Sequence, residues 1–206
     1  MKRWLKKGNK IVTLLTLADV FTWGPFLIIT SLSGVYLSTR LGVDAVKFVG
    51  IGTAIYFTTR AIFQIPMGTL TDKIKGDKDE ILLLAAGIIL MGLPYTMYPL
   101  ISQPIHYYIL QFVFGLGACF NVTNWRKLFA MNVDSGIEGF QYAFYETLIS
   151  FSTAVISLLV GSLASLGQTH FDIIMMASGC IMMAGSLWAL LIYSVKTRKS
   201  NIKKKK

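Results

Sequence analysis

The chain is poor in the residues from which catalytic and metal sites are built. Its 206 residues include two cysteines and two histidines. Cys119 and Cys180 lie inside apolar runs, with no metal-ligand spacing and no pairing pattern. They read as small packing residues and not as a disulfide framework. His106 and His170 stand alone near the ends of apolar runs, where a histidine is usually structural, and they carry no assigned chemistry. An intramembrane serine protease needs a buried Ser and His facing each other, and both histidines sit at the wrong level. No His/Cys/carboxylate set at metal-ligand spacing occurs. No Gly-rich loop ending in Lys-Ser or Lys-Thr is present to cradle a phosphate, which excludes ATP-driven transport by this chain alone. Neither an enzyme nor a cofactor is expected.

Charge is scarce as well. Charged residues make up 15% of the chain and hydrophobic ones 54%, against about 25% and about 45–50% in soluble domains. The mean hydropathy is +0.59. The formal net charge of +10 suggests a nucleic-acid partner until it is located. Lys2, Arg3, Lys6, Lys7 and Lys10 precede the first apolar run, and Lys196, Arg198, Lys199 and Lys203 to Lys206 follow the last. The stretch between holds eight basic and ten acidic residues. A basic nucleic-acid face would be spread over a folded surface, so no nucleic acid is expected. Anionic lipid headgroups are the expected partners of the basic ends.

What the sequence has in quantity is apolar length. Six runs are long enough to cross a bilayer, at about 20 residues each: Ile11–Ser38, Phe48–Leu70, Ile81–Ser102, Ile105–Trp125, Phe140–Leu166 and Phe171–Ser194. Open backbone groups are not tolerated in lipid, and the runs do not alternate strictly, so they are helices and not barrel strands. The first run is too long for a signal-peptide core and has no clear cleavage site, so it is expected to be retained. An even number of spans puts both termini on one side, and both are basic. The positive-inside rule then makes them cytoplasmic. The loops Asp72–Glu80 and Arg126–Glu138 would share that side of the cytoplasmic membrane.

The chain also looks duplicated. Thr59 to Leu70, around Gly68, lies over Ser152 to Leu163, around Gly161, at an offset of 93 residues. Glu80 to Gly87 lies over Asp172 to Gly179, at an offset of 92. A unit of three helices is odd, so its two copies enter the membrane from opposite sides, the inverted repeat common in secondary transporters. Four segments result: a basic N-terminus (1–10), a first repeat (11–102), a second (103–195) and a Lys-rich tail (196–206).

The end of the second span reads Gly68-Thr69-Leu70-Thr71-Asp72-Lys73-Ile74-Lys75-Gly76-Asp77-Lys78. It resembles the loop signature of the major facilitator superfamily, roughly G-x-x-x-D-[RK]-x-G-[RK]-[RK], with Lys75 as an extra residue and Asp77 in place of a base. The resemblance covers essentially the whole chain, as one half of the usual twelve-helix protein. It implies an all-α integral membrane fold, with six helices as two inverted three-helix repeats. It also implies that Gly68 lets helices approach closely. Asp72, with Lys73 and Gly76 in the loop, would form a gating charge network, and Arg126 is the expected partner. A solvated loop of mixed charge is the alternative. Gln111-Phe112-Val113-Phe114-Gly115-Leu116-Gly117 resembles the superfamily's R-x-x-x-G-x-G segment, with Gln111 in the arginine position. The fifth span lacks the G-P-x-x-G-G segment of many drug antiporters.

Three charges fall inside the spans. Asp19 lies eight residues after Ile11, Arg60 eight before Gly68 and Glu146 eight after Glu138, each roughly 12 Å from the cytoplasmic side at 1.5 Å per residue. Each would cost about 2.5–3.5 kcal/mol unpaired at mid-bilayer. Polar stripes accompany them: Thr16, Asp19, Trp23, Phe26, Thr30 and Ser33; Thr53, Tyr56, Arg60, Gln64 and Gly68; Tyr142, Glu146, Ser150, Thr153 and Ser157. An Asp19–Arg60–Glu146 cluster is expected. Arg60 would satisfy one carboxylate, leaving the other to carry a proton during transport. A static ion network fixing helix register is the alternative. Trp23, Phe26, Tyr56 and Tyr142 are candidates to line a substrate pocket. Gly24-Pro25 and Gly92-Leu93-Pro94 are expected to interrupt their helices.

The expected function is secondary transport of a small solute, by alternating access in a dimer formed with itself or with a separate six-helix half. Pairing would use the second and fifth helices. Two alternatives are a non-transporting subunit or assembly factor that kept the fold, and a truncated product whose basic tail is the central loop of a longer transporter.

Overall fold

The computed structural model describes residues 9–73, 77–164 and 167–204. Over these residues the chain forms six helices long and apolar enough to cross a membrane, and no strand. They are α1 (Lys10–Leu41), α2 (Ala45–Lys73), α3 (Asp77–Thr96), α4 (Pro104–Asn132), α5 (Glu138–Ala164) and α6 (Gln168–Lys204), with one turn of 3-10 helix at Tyr98–Leu100. The six-span reading holds.

Local chemistry sets the helix ends. Asn9 caps α1, its Oδ1 accepting from the backbone N–H groups of Ile11 and Val12 at 3.2 and 3.4 Å. Gly42 closes α1 at φ 77°, a conformation that costs glycine nothing. The apolar run through Ser102 predicts a longer third helix than the chain makes. Pro94 removes a donor near its end, α3 stops at Thr96, and Pro99 enters the 3-10 turn. The expected break at Gly24-Pro25 does not occur, because α1 runs unbroken through Pro25. Proline loses only the bond to the carbonyl one turn back, a loss that neighbouring helices make tolerable in membrane proteins. Helix α6 extends beyond the expected Ser194, to Lys204.

Two apolar clusters fix the helix directions. The starts of α1 and α3 meet the ends of α4 and α6 through Leu15, Ile81, Leu128 and Ile192. The end of α1, the end of α3 and the starts of α4 and α6 meet through Tyr36, Tyr95, Tyr107 and Met175. The first cluster therefore marks the end of the bundle where α1 begins and α6 exits, called the terminal end below. The second marks the distal end.

Helices α3 and α6 share an extensive face, α6 also packs on α1, and α3 on α4. Helix α2 lies mainly on α4, and α5 mainly on α1. Only 17% and 11% of the apolar cores of α2 and α5 are buried, against 44–56% in the other four spans. Four helices thus form a packed frame and two flank it.

Lipid offers helices no hydrophobic reward for associating, so close backbone packing must hold the frame. Its tightest crossing is reciprocal. A Cβ added at Gly92 would stand 2.6 Å from the Gly179 carbonyl oxygen, and one added at Gly179 would stand 2.6 Å from that of Gly92. Backbone atoms cannot swing aside, so a side chain at either position must push α3 from α6. Gly92→Ala or Gly179→Ala should cost about 1–3 kcal/mol. Gly34→Ala, with nothing within 4 Å, should be neutral or gain up to about 1 kcal/mol. Thermal unfolding of the three variants in detergent checks this order.

Candidate functional site

A cleft of about 260 Å³ opens between the two flanking helices. Four helices line it. Helix α1 contributes Asp19 and Trp23, α2 Arg60, α4 Asn121, Val122, Trp125 and Arg126, and α5 Tyr145. The α1 residues arrive as the polar stripe predicts, since Asp19 and Trp23 are one turn apart on one face.

Asp19 is 3% exposed. Its Oδ2 accepts a 2.5 Å hydrogen bond from the Tyr145 hydroxyl. Arg60 donates from Nη1 to the Tyr56 hydroxyl at 2.8 Å, one turn back on α2. Its guanidinium carbon lies 5.4 Å from the centroid of the same ring, which adds a cation–π attraction. The Trp23 indole N–H donates to Asn121 Oδ1 at 3.1 Å. The Trp125 indole N–H donates to the Leu15 carbonyl at 2.9 Å, tying α4 to α1. Trp125 stacks on Phe129 with centroids 4.6 Å apart and touches Tyr145 at 4.7 Å. The site is an aromatic-walled cleft holding one buried carboxylate and two guanidinium groups.

The expected Asp19–Arg60–Glu146 cluster does not form as drawn. Asp19 and Arg60 line the same cleft, yet each bonds a tyrosine. Among the described residues no ion pair joins any two of the three. Glu146 is exposed on α5. Adjacent residues on a helix point about 100° apart, and α5 turns Tyr145 toward Asp19. Tyr142, 43% exposed, packs on Phe129 outside the cleft. Gln64 is half-buried one turn from Arg60 and does not line the cleft. Gln111 sits in the distal aromatic cluster and donates to the Tyr98 hydroxyl at 3.2 Å. The structure adds Asn121, Trp125 and Tyr145 to the site, and moves Arg126 into it. Asn121 and Trp125 stand one turn apart on α4, a spacing that could have flagged them.

Two charge clamps hold the helix ends. At the terminal end, Lys127 Nζ lies 2.9 Å from Asp72 Oδ1 and 3.1 Å from Glu80 Oε1, and donates to the Thr71 carbonyl at 2.9 Å. It thereby joins α4 to both α2 and α3. At the distal end, Arg40 Nη2 lies 2.6 Å from each oxygen of Asp172. Asp172 Oδ1 also accepts from the Tyr36 hydroxyl at 2.7 Å and from Gln168 Nε2 at 3.2 Å.

A family model described as Major Facilitator Superfamily matches residues 11–206. The chain belongs to this superfamily. No curated protein and no solved structure matches it. Membership makes it a multi-pass membrane protein, with six spans among the described residues, in a superfamily of transporters and not of enzymes.

The superfamily-like loop departs from expectation in two places. The cation facing Asp72 is Lys127 and not Arg126, which points one residue step around α4 into the cleft. Gly68 does not mark a forced approach, since an added Cβ would meet only the Thr123 methyl at an ordinary 3.8 Å. The tight contact of α2 with α4 lies further along, where a Cβ on Gly115 would come 2.9 Å from Thr59 Cβ. Lys73 is exposed at the end of α2, and Gly76 lies outside the described residues.

The two carboxylates on Lys127 differ in burial. The Glu80 side chain is 4% exposed and that of Asp72 is 75%. Lys127→Met would strand Glu80 as an unpaired buried charge, at a cost of about 3 kcal/mol. Asp72→Asn should cost about 1 kcal/mol or less. Adding Glu80→Gln to Lys127→Met should recover most of the loss, and a double-mutant cycle on unfolding in detergent measures the recovery.

Proposed function

We propose that this chain is one half of a secondary active transporter that moves a small solute across the cytoplasmic membrane. It pairs with a second copy of itself or with another six-helix half, and both termini face the cytoplasm. The carrying observation is the position of the cleft. It holds buried charge, it lies between α2 and α5, and these are the two helices the bundle leaves mostly uncovered. The exposed faces of these flanks carry Thr53, Thr58, Glu146, Thr147 and Ser150. Glu146 facing lipid would cost about 2.5–3.5 kcal/mol. A facing half-bundle removes that cost and encloses the cleft in the same step. Two halves rocking about such a shared site give alternating access.

The basic ends and the acidic-to-neutral middle support the orientation. The inverted repeat draws support from the packing. Exchanging α1 with α4, α2 with α5 and α3 with α6 turns the α1–α6 contact into α4–α3, and α2–α4 into α5–α1, and all four contacts exist. Asp19 is the group proposed to carry a proton, since it is the buried carboxylate of the cleft and its bond to Tyr145 is neutral.

Two measurements test the reading. A single cysteine at Ser150, with Cys119→Ala and Cys180→Ser, should cross-link to a dimer in membranes. A chain that stays monomeric and still transports overturns the pairing. In proteoliposomes under a pH gradient, Asp19→Asn should lower gradient-driven uptake at least tenfold. Undiminished uptake in both Asp19→Asn and Glu146→Gln overturns proton coupling.

A further inference from the structure

The cleft has more hydrogen-bond donors than it can satisfy from within. Arg60 spends one donor on Tyr56, and its buried Nε has no partner. Asn121 is 1% exposed, its carbonyl oxygen is taken by the Trp23 indole, and its amide nitrogen has no partner. Among the described residues neither Arg60 nor Arg126 forms an ion pair. Among the lining side chains Asp19 is the one carboxylate, and one of its oxygens already takes the Tyr145 proton. With Asp19 ionised, the side chains lining the cleft carry two guanidinium groups against one carboxylate, and the Glu146 carboxylate, next to Tyr145 on α5, acts on Asp19 from outside the lining. A buried donor left without a partner costs about 1–3 kcal/mol. An anion with several acceptor lone pairs is the group that repairs this imbalance, and a guanidinium matches the geometry of a carboxylate. The remaining walls are Trp23 and Trp125, flat apolar faces that suit an apolar or ring-bearing body.

We propose that the cleft binds a small organic anion, its carboxylate on Arg60 and Asn121 with Arg126 adding attraction, and its apolar body against Trp23 and Trp125. The proposal names the solute class for the transport reading above and rests on it for its physiological meaning. The binding site itself stands or falls separately.

Three probes with one body separate the head groups: 3-phenylpropionate, 3-phenylpropionamide and 3-phenylpropylamine. Each is titrated calorimetrically into the full chain in lipid nanodiscs. The carboxylate should bind at least tenfold more tightly than the amide or the amine. Arg60→Gln should weaken it at least tenfold. Asn121→Asp, which keeps the side-chain size and adds a negative charge, should do the same. Tightest binding of the amine, equal binding of all three, or carboxylate binding untouched in both variants would overturn the proposal. Inorganic phosphate binding as tightly as the carboxylate would also overturn it, because the apolar body would then contribute nothing. The wild-type comparison of the three probes decides even if a variant fails to fold. Carboxylate binding without any uptake in proteoliposomes would uphold the anion site and remove the transport reading. Uptake of a cationic solute with no carboxylate binding would do the reverse.

Discussion

Water is scarce in the hydrocarbon core, so a polar side chain there is costly unless the protein or a wetted cleft supplies it with a partner. This constraint orders the bundle more firmly than apolar contact does, because lipid tails are as apolar as leucine. Asp19 bonds Tyr145, Arg60 bonds Tyr56, and the Trp23 and Trp125 indoles bond Asn121 and the Leu15 carbonyl. Threonines and serines return their hydroxyls to carbonyls three or four residues back, as Thr16, Thr22, Thr59 and Ser186 do. The long-range bonds of this set join α1 to α4 and α5. They locate the cleft because they are what its walls are made of.

The clamps extend the same logic to the membrane faces. Glu80 opens α3 at the terminal end, and Asp172 opens α6 at the distal end. The two carboxylates are 92 residues apart. Glu80 is held by a lysine near the end of α4, and Asp172 by an arginine near the end of α1. An acid at a helix start met by a base at a neighbour's end also suits both helix dipoles. Two equivalent clamps on opposite faces are what a three-helix unit gives when a second copy enters from the other side. The clamps therefore add residue chemistry to the alignment of Glu80 with Asp172 that suggested the proposed inverted repeat.

Span number and helix type were legible in the sequence because they depend on run length and rise per residue. Which side chains touch depends on rotation, and polarity alone is a poor guide to it. The stripe Tyr142, Glu146, Ser150 reads as the inward face of α5, since polar groups ought to avoid lipid. The bundle instead turns Gln141, Tyr145 and Ile149 inward and leaves the stripe outside. That error is informative, because a stripe shaped to avoid lipid and yet exposed on one bundle fits a surface that another bundle covers. Arg126 and Lys127 show the same ambiguity over a single residue. Either reaches the loop by position, but only Lys127 faces it, and Arg126 is left for the cleft. The continuity of α1 through Pro25 was hidden for a different reason. A local rule predicts a break, while burial between neighbours decides whether the helix survives one missing bond.

Packing also divides the bundle into parts of unequal firmness. The frame of α1, α3, α4 and α6 is locked by backbone contacts at Gly92 with Gly179 and at Gly87 with Gly117, positions where even one methyl group does not fit. Helix α5 has no such lock on α1. Its buried residues are Gln141, Ile149 and Val160, and Gly161 has open space around it. Elements with few buried contacts are the ones that open at low cost. The bond from Tyr145 to Asp19 is then a large share of what fixes the middle of α5, and it ends on the buried carboxylate of the cleft. The proposed change of proton or ligand at Asp19 would act directly on the least anchored wall of the site. In the proposed two-half transporter that wall would also be the surface facing the other half, so binding chemistry and the position of the moving face would meet at one hydrogen bond.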